Sequence, residues 1–327
     1  MEQRKLIRLG NSSYAVALPK DWVEKSGLKK GDNVFVERNG HGEMVVSPTS
    51  YTNKNDKSVK IEIDGKDSKR IKREFAGAYQ NGYSSFFFYG NNAKVDTVSI
   101  RKIIESYLSC EVVSESEKEV VVKDFFNFGE FNINIFVKRI DNNIREIFDI
   151  LIKSSLKREI KRDELSAIND IDLDINKFYF LIARAVNIGL NNPAFLAQIK
   201  SSSIDLFLFW WLIFHLEHTG DNLKAIATRF SKEGIPKSAN VILSEALKNL
   251  QNRYQETLNL FYSSDKVKAY AMIDDGSADL ENYSKLGRDK DNLVSYIGLK
   301  LEEVHNCSYQ ILKLISNFEK GNEKTTI

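Results

Sequence analysis

The sequence predicts a multidomain α+β chain in which the β structure is confined to the first 124 residues and helices fill the remainder. Three observations carry this. Short apolar runs bounded by turn residues occupy the first 124 positions. Residues 49–57 are polar and lack the side chains needed to pack, as a linker does. From about residue 128 apolar residues recur at spacings of three and four, the period of an amphipathic helix.

Residues 3–48 form a β-rich unit. RKLIRLG is a candidate first strand and Tyr14 to Leu18 a second. Pro19 suits a first helical turn, Asp21, Glu24 and Lys25 match the helix dipole, and Gly27 is a natural stop. NVFVERN alternates as a strand, NGHG signals a hairpin turn, and EMVVS returns to Pro48. In 58–124, VKIEI, SSFFFY and the halves of EVVSESEKEVVV read as strands, with SKRIKREFAGAYQ and DTVSIRKIIESYL as helices. This alternation makes a small α/β unit. Six helices are expected beyond, at about 130–158, 163–190, 203–232, 237–263, 267–285 and 290–319. NNP at 191–193 and GIP at 234–236 punctuate them, and two consecutive three-helix bundles in 128–320 result. The final GNEKTTI reads as a frayed tail.

Composition narrows the function classes. A net charge of +2 over 327 residues leaves nucleic-acid affinity to a local basic patch. Cys110 and Cys307 stand far apart with no CxxC, which argues against a zinc finger or disulfide scaffold and fits a reducing, cytoplasmic setting. MEQRKLIRLG has no apolar core, so no signal peptide is expected. The longest apolar run, Leu206 to Phe214, has nine residues against about 18–20 for a membrane span. It is read as a helix buried on most sides, with no transmembrane segment in the chain. GxGxxG after a strand, Walker A, HExxH and GxSxG are all missing. No catalytic residue and no organic cofactor are expected.

The first 48 residues carry the most specific signal. The landmarks are a basic first strand, Ser12-Ser13, Leu18-Pro19-Lys20 before a short helix, Gly27-Leu28, Gly31-Asp32 and a hairpin ending near Pro48. Their order resembles the AbrB/MazE/SpoVT swapped-hairpin DNA-binding family. The resemblance implies two copies intertwined into one β-barrel-like homodimer on double-stranded DNA. Elementary physics points the same way: about 45 residues are marginal for an independent core, and the strands leave open edges in a monomer. Residues 1–20 carry Arg4, Lys5, Arg8 and Lys20 against one acid, Glu2. Such a density suits phosphate contact, and the family pattern favours the first-strand residues Arg4, Lys5 and Arg8 over Lys20.

The helical half carries a second signal. In HLEHTGDNLKAIAT, Glu217 and Asp221 lie four apart on one helix face. LEHTGDNLKAIA resembles the PhoU family, whose bundles bear carboxylate motifs at that spacing. The preceding helix supplies Asp170 and Asp174. The second bundle offers Asp275, Asp279 and Glu303, with Cys307 where the pattern wants Asp. Four carboxylates from two adjacent helices suit a metal-ion site of unspecified identity, since left unbalanced they repel. His215 and His218 stand beside them as further candidate ligands or as locally bonded side chains. Together the two resemblances suggest the family of archaeal phosphate-uptake regulators with an N-terminal SpoVT/AbrB-type domain. They imply a transcriptional regulator of phosphate uptake and homeostasis with a helical sensor or effector domain. The alternative is a PhoU-type adaptor that docks on a phosphate transporter or signalling kinase, its N-terminal module serving only to dimerise. An enzyme or metal-storage bundle is the third class.

Overall fold

The computed structural model describes residues 3–38, 42, 44–48, 57–91, 95–128, 131–192, 195, 196, 199 and 201–317. The N-terminal unit holds two antiparallel ribbons. β1 (Ile7–Leu9) pairs with β2 (Ser13–Ala15), and β3 (Phe35–Arg38) with β4 (Met44–Ser47), while among the described residues no strand pairing joins one ribbon to the other. Between them lies α1 (Lys20–Lys25), entered at Pro19. Its end is closed by Gly27, where φ of +69° directs the Leu28 N–H back to the Val23 carbonyl. The residues expected to form the hairpin turn at 39–41 lie outside the described residues. No described residue of 3–48 is buried.

The next unit is a mixed four-stranded sheet. β5 (Ser58–Glu62) runs parallel to β6 (Ser85–Tyr89), and α2 (Ser68–Gln80) makes the crossover. After α3 (Thr97–Ile104), the hairpin of β7 (Cys110–Glu115) and β8 (Glu119–Asp124) adds to β6, giving the order β5-β6-β8-β7. Asp67 and Asp96 cap α2 and α3 by accepting backbone N–H groups, each cap contributing roughly 1 kcal/mol. Ile71, Phe75 and Tyr79 bury one stripe of α2 against Phe86, Phe88, Val120 and Val122.

The remaining described elements are helical. They are α4 (Ile133–Lys157), α5 (Arg162–Asn191), α6 (Ser203–Glu233), α7 (Asn240–Ser263), α8 (Lys266–Asp274), α9 (Ser277–Leu286) and α10 (Asn292–Asn317). α4, α5 and α6 pack pairwise; α10 packs on α7, α8 and α9. α4 against α7 and α6 against α10 join these two groups, so one continuous core runs from Phe128 to Leu314. The helix expected over 267–285 is broken at Asp275-Gly276. A Cβ at Gly276 would stand 2.4 Å from Arg253 Nη2, so the glycine makes room for a buried guanidinium that donates to the Met272 carbonyl.

The apolar run expected to be buried on most sides is divided. Leu206, Leu208, Leu212 and Ile213 are in the core, whereas Phe207, Trp211 and Phe214 are exposed. No described helix is long and apolar enough to cross a membrane.

Arg184 of α5 ties the sheet unit to the helices. Its Nη2 lies 3.1 Å from Asp124 Oδ2, both side chains being almost wholly buried. Nη1 donates to the carbonyls of Tyr79 and Tyr83, and the guanidinium lies over the Tyr79 ring at 4.6 Å. Burial pushes the Asp124 carboxyl up, opposed by Arg184.

Candidate functional site

Two places collect the predicted site residues. At the N-terminal unit, Arg4, Lys5, Arg8 and Lys20 are all exposed. Arg8 faces Tyr14 across the β1–β2 ladder. Alternation along the strand therefore sets Arg8 on one face of the ribbon and Ile7 and Leu9 on the other. The Lys20 Nζ lies 3.6 Å from Glu24 Oε1, which takes up part of its charge. Leu6, Ile7, Leu9, Tyr14, Val16, Phe35, Val36 and Met44 are exposed in the single chain. That many apolar side chains around a unit with no buried residue among those described leaves these residues without a core of their own. The arrangement can present Arg8 to a polyanion on one face of the ribbon while the face bearing Ile7 and Leu9 is covered by another chain.

In the first helical bundle the carboxylates gather in a different set from the expected one. Asp172 of α5 is buried and pairs with Lys224 of α6, and it also accepts from the Asn176 amide. Asp172 shares a side-chain hydrogen bond with Asp221, whose carboxyl is pushed up by burial first and then by Asp172. Burial, then Asp221 and Asp172, raises Glu217 to about 7. Successive even positions on a helix lie about 200° apart. With Asp172 turned toward α6, Asp170 and Asp174 must point away. Asp170 is exposed, and Asp174 pairs with Lys177 at 2.9 Å. The expected quartet of Asp170, Asp174, Glu217 and Asp221 therefore does not converge. Asp172 takes the place of both α5 residues, and Lys224 supplies the balancing charge.

Asp172 was legible in the sequence by a different signal. It falls in the stripe Ile168, Asp172, Ile175 and Tyr179, all buried or half-buried on the core side of α5. A lone acid in an apolar stripe is the one that must find a partner.

His215 and His218 lie beside the cluster, and His218 acts on the Asp221 carboxyl. His215 is buried beside Trp211 and Phe214, and burial followed by His218 lowers it to about 4. His218 stacks on Phe214.

In the second bundle each acid goes its own way. Asp275 is exposed at the end of α8, Asp279 lies 3.8 Å from Arg253, and Glu303 pairs with Lys300 at 2.8 Å. Cys307 is buried, and burial pushes its thiol up to about 12. Arg253, which the sequence reading passed over, is the residue that organises this end. Among the described residues no group of three or more His, Cys, Asp or Glu side chains is placed to hold a metal ion. The first-bundle cluster of acids around one lysine can take up a proton near neutrality at Glu217.

Comparison with known proteins bears on the N-terminal unit alone. Residues 7–54 match the family described as antidote-toxin recognition MazE, bacterial antitoxin. No curated protein and no solved structure matches the chain. The match covers the two ribbons and α1, and it supports a swapped-hairpin, DNA-binding module of the MazE/AbrB type at this end of the chain.

Proposed function

We propose that this chain is a DNA-binding transcriptional regulator, dimeric through residues 3–48, in which the helical half is the effector domain. One observation carries the reading: a family-matched module has no core of its own, exposes its apolar strands, and displays Arg4, Lys5 and Arg8 on its surface. Two such modules pairing through their apolar faces supply the missing core and bring two basic strands onto one assembly. Lys and Arg then neutralise phosphates and position the dimer on the duplex. Glu24 competes for Lys20.

The regulated process in this proposal is phosphate uptake and homeostasis. Its support is the likeness of LEHTGDNLKAIA to the PhoU context, together with a helical half in which α4–α6 and α7–α10 form two packed groups. Genome-wide mapping of bound sites in phosphate-rich and phosphate-poor cells tests it. Sites upstream of phosphate-uptake genes whose occupancy changes with phosphate are expected. Occupancy indifferent to phosphate would remove the phosphate assignment while leaving DNA binding in place.

A further inference from the structure

The N-terminal half of α6 carries an apolar stripe that is exposed among the described residues. Ile204, Phe207, Trp211 and Phe214 are 63, 54, 40 and 45% exposed. Their spacings of three, four and three put them on one helix face, the seam spacing of paired helices. The rings are linked: Phe207 and Trp211 lie 6.4 Å apart, and Trp211 and Phe214 both stand edge-on to His215, at 5.3 and 5.4 Å. The opposite side of α6 is fully used, with Leu206, Leu212, Ile213 and Leu216 in the core. Isolated exposed apolar residues need no explanation, but a contiguous aromatic stripe marks an interaction surface.

We propose that this stripe pairs with the same stripe of a second copy, so that the helical bodies of the dimer close on each other about a two-fold axis near Trp211. The proposal rests on the dimeric reading of residues 3–48, and three observations select the occupant. A two-fold interface must be self-complementary. The stretch from Ser203 to His218 satisfies this, being almost uncharged, with Asp205 and Glu217 its only Asp, Glu, Lys or Arg residues. Those two charges are acidic, which disfavours the anionic lipid surface that basic amphipathic helices seek. The area suits a contact held also by a tether. An aromatic side chain presents about 150–250 Å². The four stripe residues therefore leave roughly 800 Å² over two copies, close to the lower bound of a specific interface.

A paired N-terminal module adds a tether. Pro48 and Ser58 are ten residues apart, a reach of at most about 36 Å. Each body is thereby held at a high effective concentration beside its copy.

The test uses the full chain. Cys110 and Cys307 are buried, so a cysteine placed at Trp211 is the reactive one under mild oxidation. We expect Trp211→Cys to form a disulfide-linked dimer at least tenfold faster than Lys248→Cys, which sits exposed on α7 and reports chance collision. Adding Phe207→Glu should abolish the advantage while sedimentation still shows a dimer. A sedimentation dimer in which Trp211→Cys links no faster than Lys248→Cys overturns the stripe pairing alone. A dimer that Phe207→Glu dissolves supports the stripe and removes the N-terminal module as the main dimer contact. A monomer in every variant overturns both. Co-sedimentation of the wild type with uncharged phosphatidylcholine vesicles, lost in Phe207→Glu, would also overturn the proposal by assigning the stripe to a lipid surface.

Discussion

Glu217 is a carboxyl whose protonation the fold itself decides. Its ordinary value is 4.5, and in the folded chain it stands at about 7. Between those limits the folded state holds a proton that the unfolded state has released. Stability therefore falls as pH rises from about 4.5 through 7, and is flat in this respect outside that window. Glu217→Gln should flatten that segment relative to wild type and stabilise the protein at pH 8. After allowance for solvent screening at a half-buried site, the gain is on the order of 1 kcal/mol. Urea unfolding at pH 5 and pH 8 checks it, and equal pH dependence in both proteins would contradict the cause assigned to Glu217. Arg184 acts in the opposite sense. Arg184→Met leaves Asp124 buried without its counter-charge, at a cost of about 3–5 kcal/mol. In Arg184→Met with Asp124→Asn part of that loss should return, which a double-mutant cycle measures. A motif at the right spacing found Glu217 and Asp221 but selected the wrong neighbours. The four-residue rule fixes which acids share a face, and only the apolar stripe through Ile168 and Ile175 fixes which face meets α6.

At the scale of elements, the strands and helices of 58–124 were legible because period and punctuation agree there. β5, α2, β6, α3, β7 and β8 stand where the alternation of short apolar runs places them. The break between α8 and α9 was written as Asp275-Gly276, but its reason is Arg253, more than 20 positions earlier, and no local signal carries that. The run from Leu206 to Phe214 misled because composition alone does not tell a core helix from one with two apolar faces. The N-terminal ribbons give sharper expectations. Leu9 lies on the apolar face of β1–β2, opposite to Arg8. Leu9→Lys should convert the dimer to an unfolded or monomeric chain, read by sedimentation at micromolar concentration; a stable folded dimer would refute the apolar pairing. Gly27→Ala places a side chain at φ of +69° with nothing within 4 Å of its Cβ. Its cost is backbone strain alone, about 1 kcal/mol, and thermal unfolding of the dimer reads it.

For the whole molecule, the coarse division into a β-rich beginning and a long helical remainder was visible in the change of periodicity near residue 128. The joining of all the long helices into one core was not, because contacts between α4 and α7 and between α6 and α10 link positions far apart in sequence. The function proposed at this scale has two copies of residues 3–48 set basic strands against DNA, a reading that the family match over residues 7–54 supports. The most direct test is the salt dependence of binding to genomic DNA fragments by the full-length dimer, compared with Arg4→Ala/Lys5→Ala/Arg8→Ala. Each phosphate contact contributes about 0.9 to the slope of log affinity against log salt. The account predicts a slope that falls by several units in the variant, with binding weakened alike on all sequences and the dimer intact. An unchanged slope, or a wild-type dimer that binds no duplex at low salt, would contradict it.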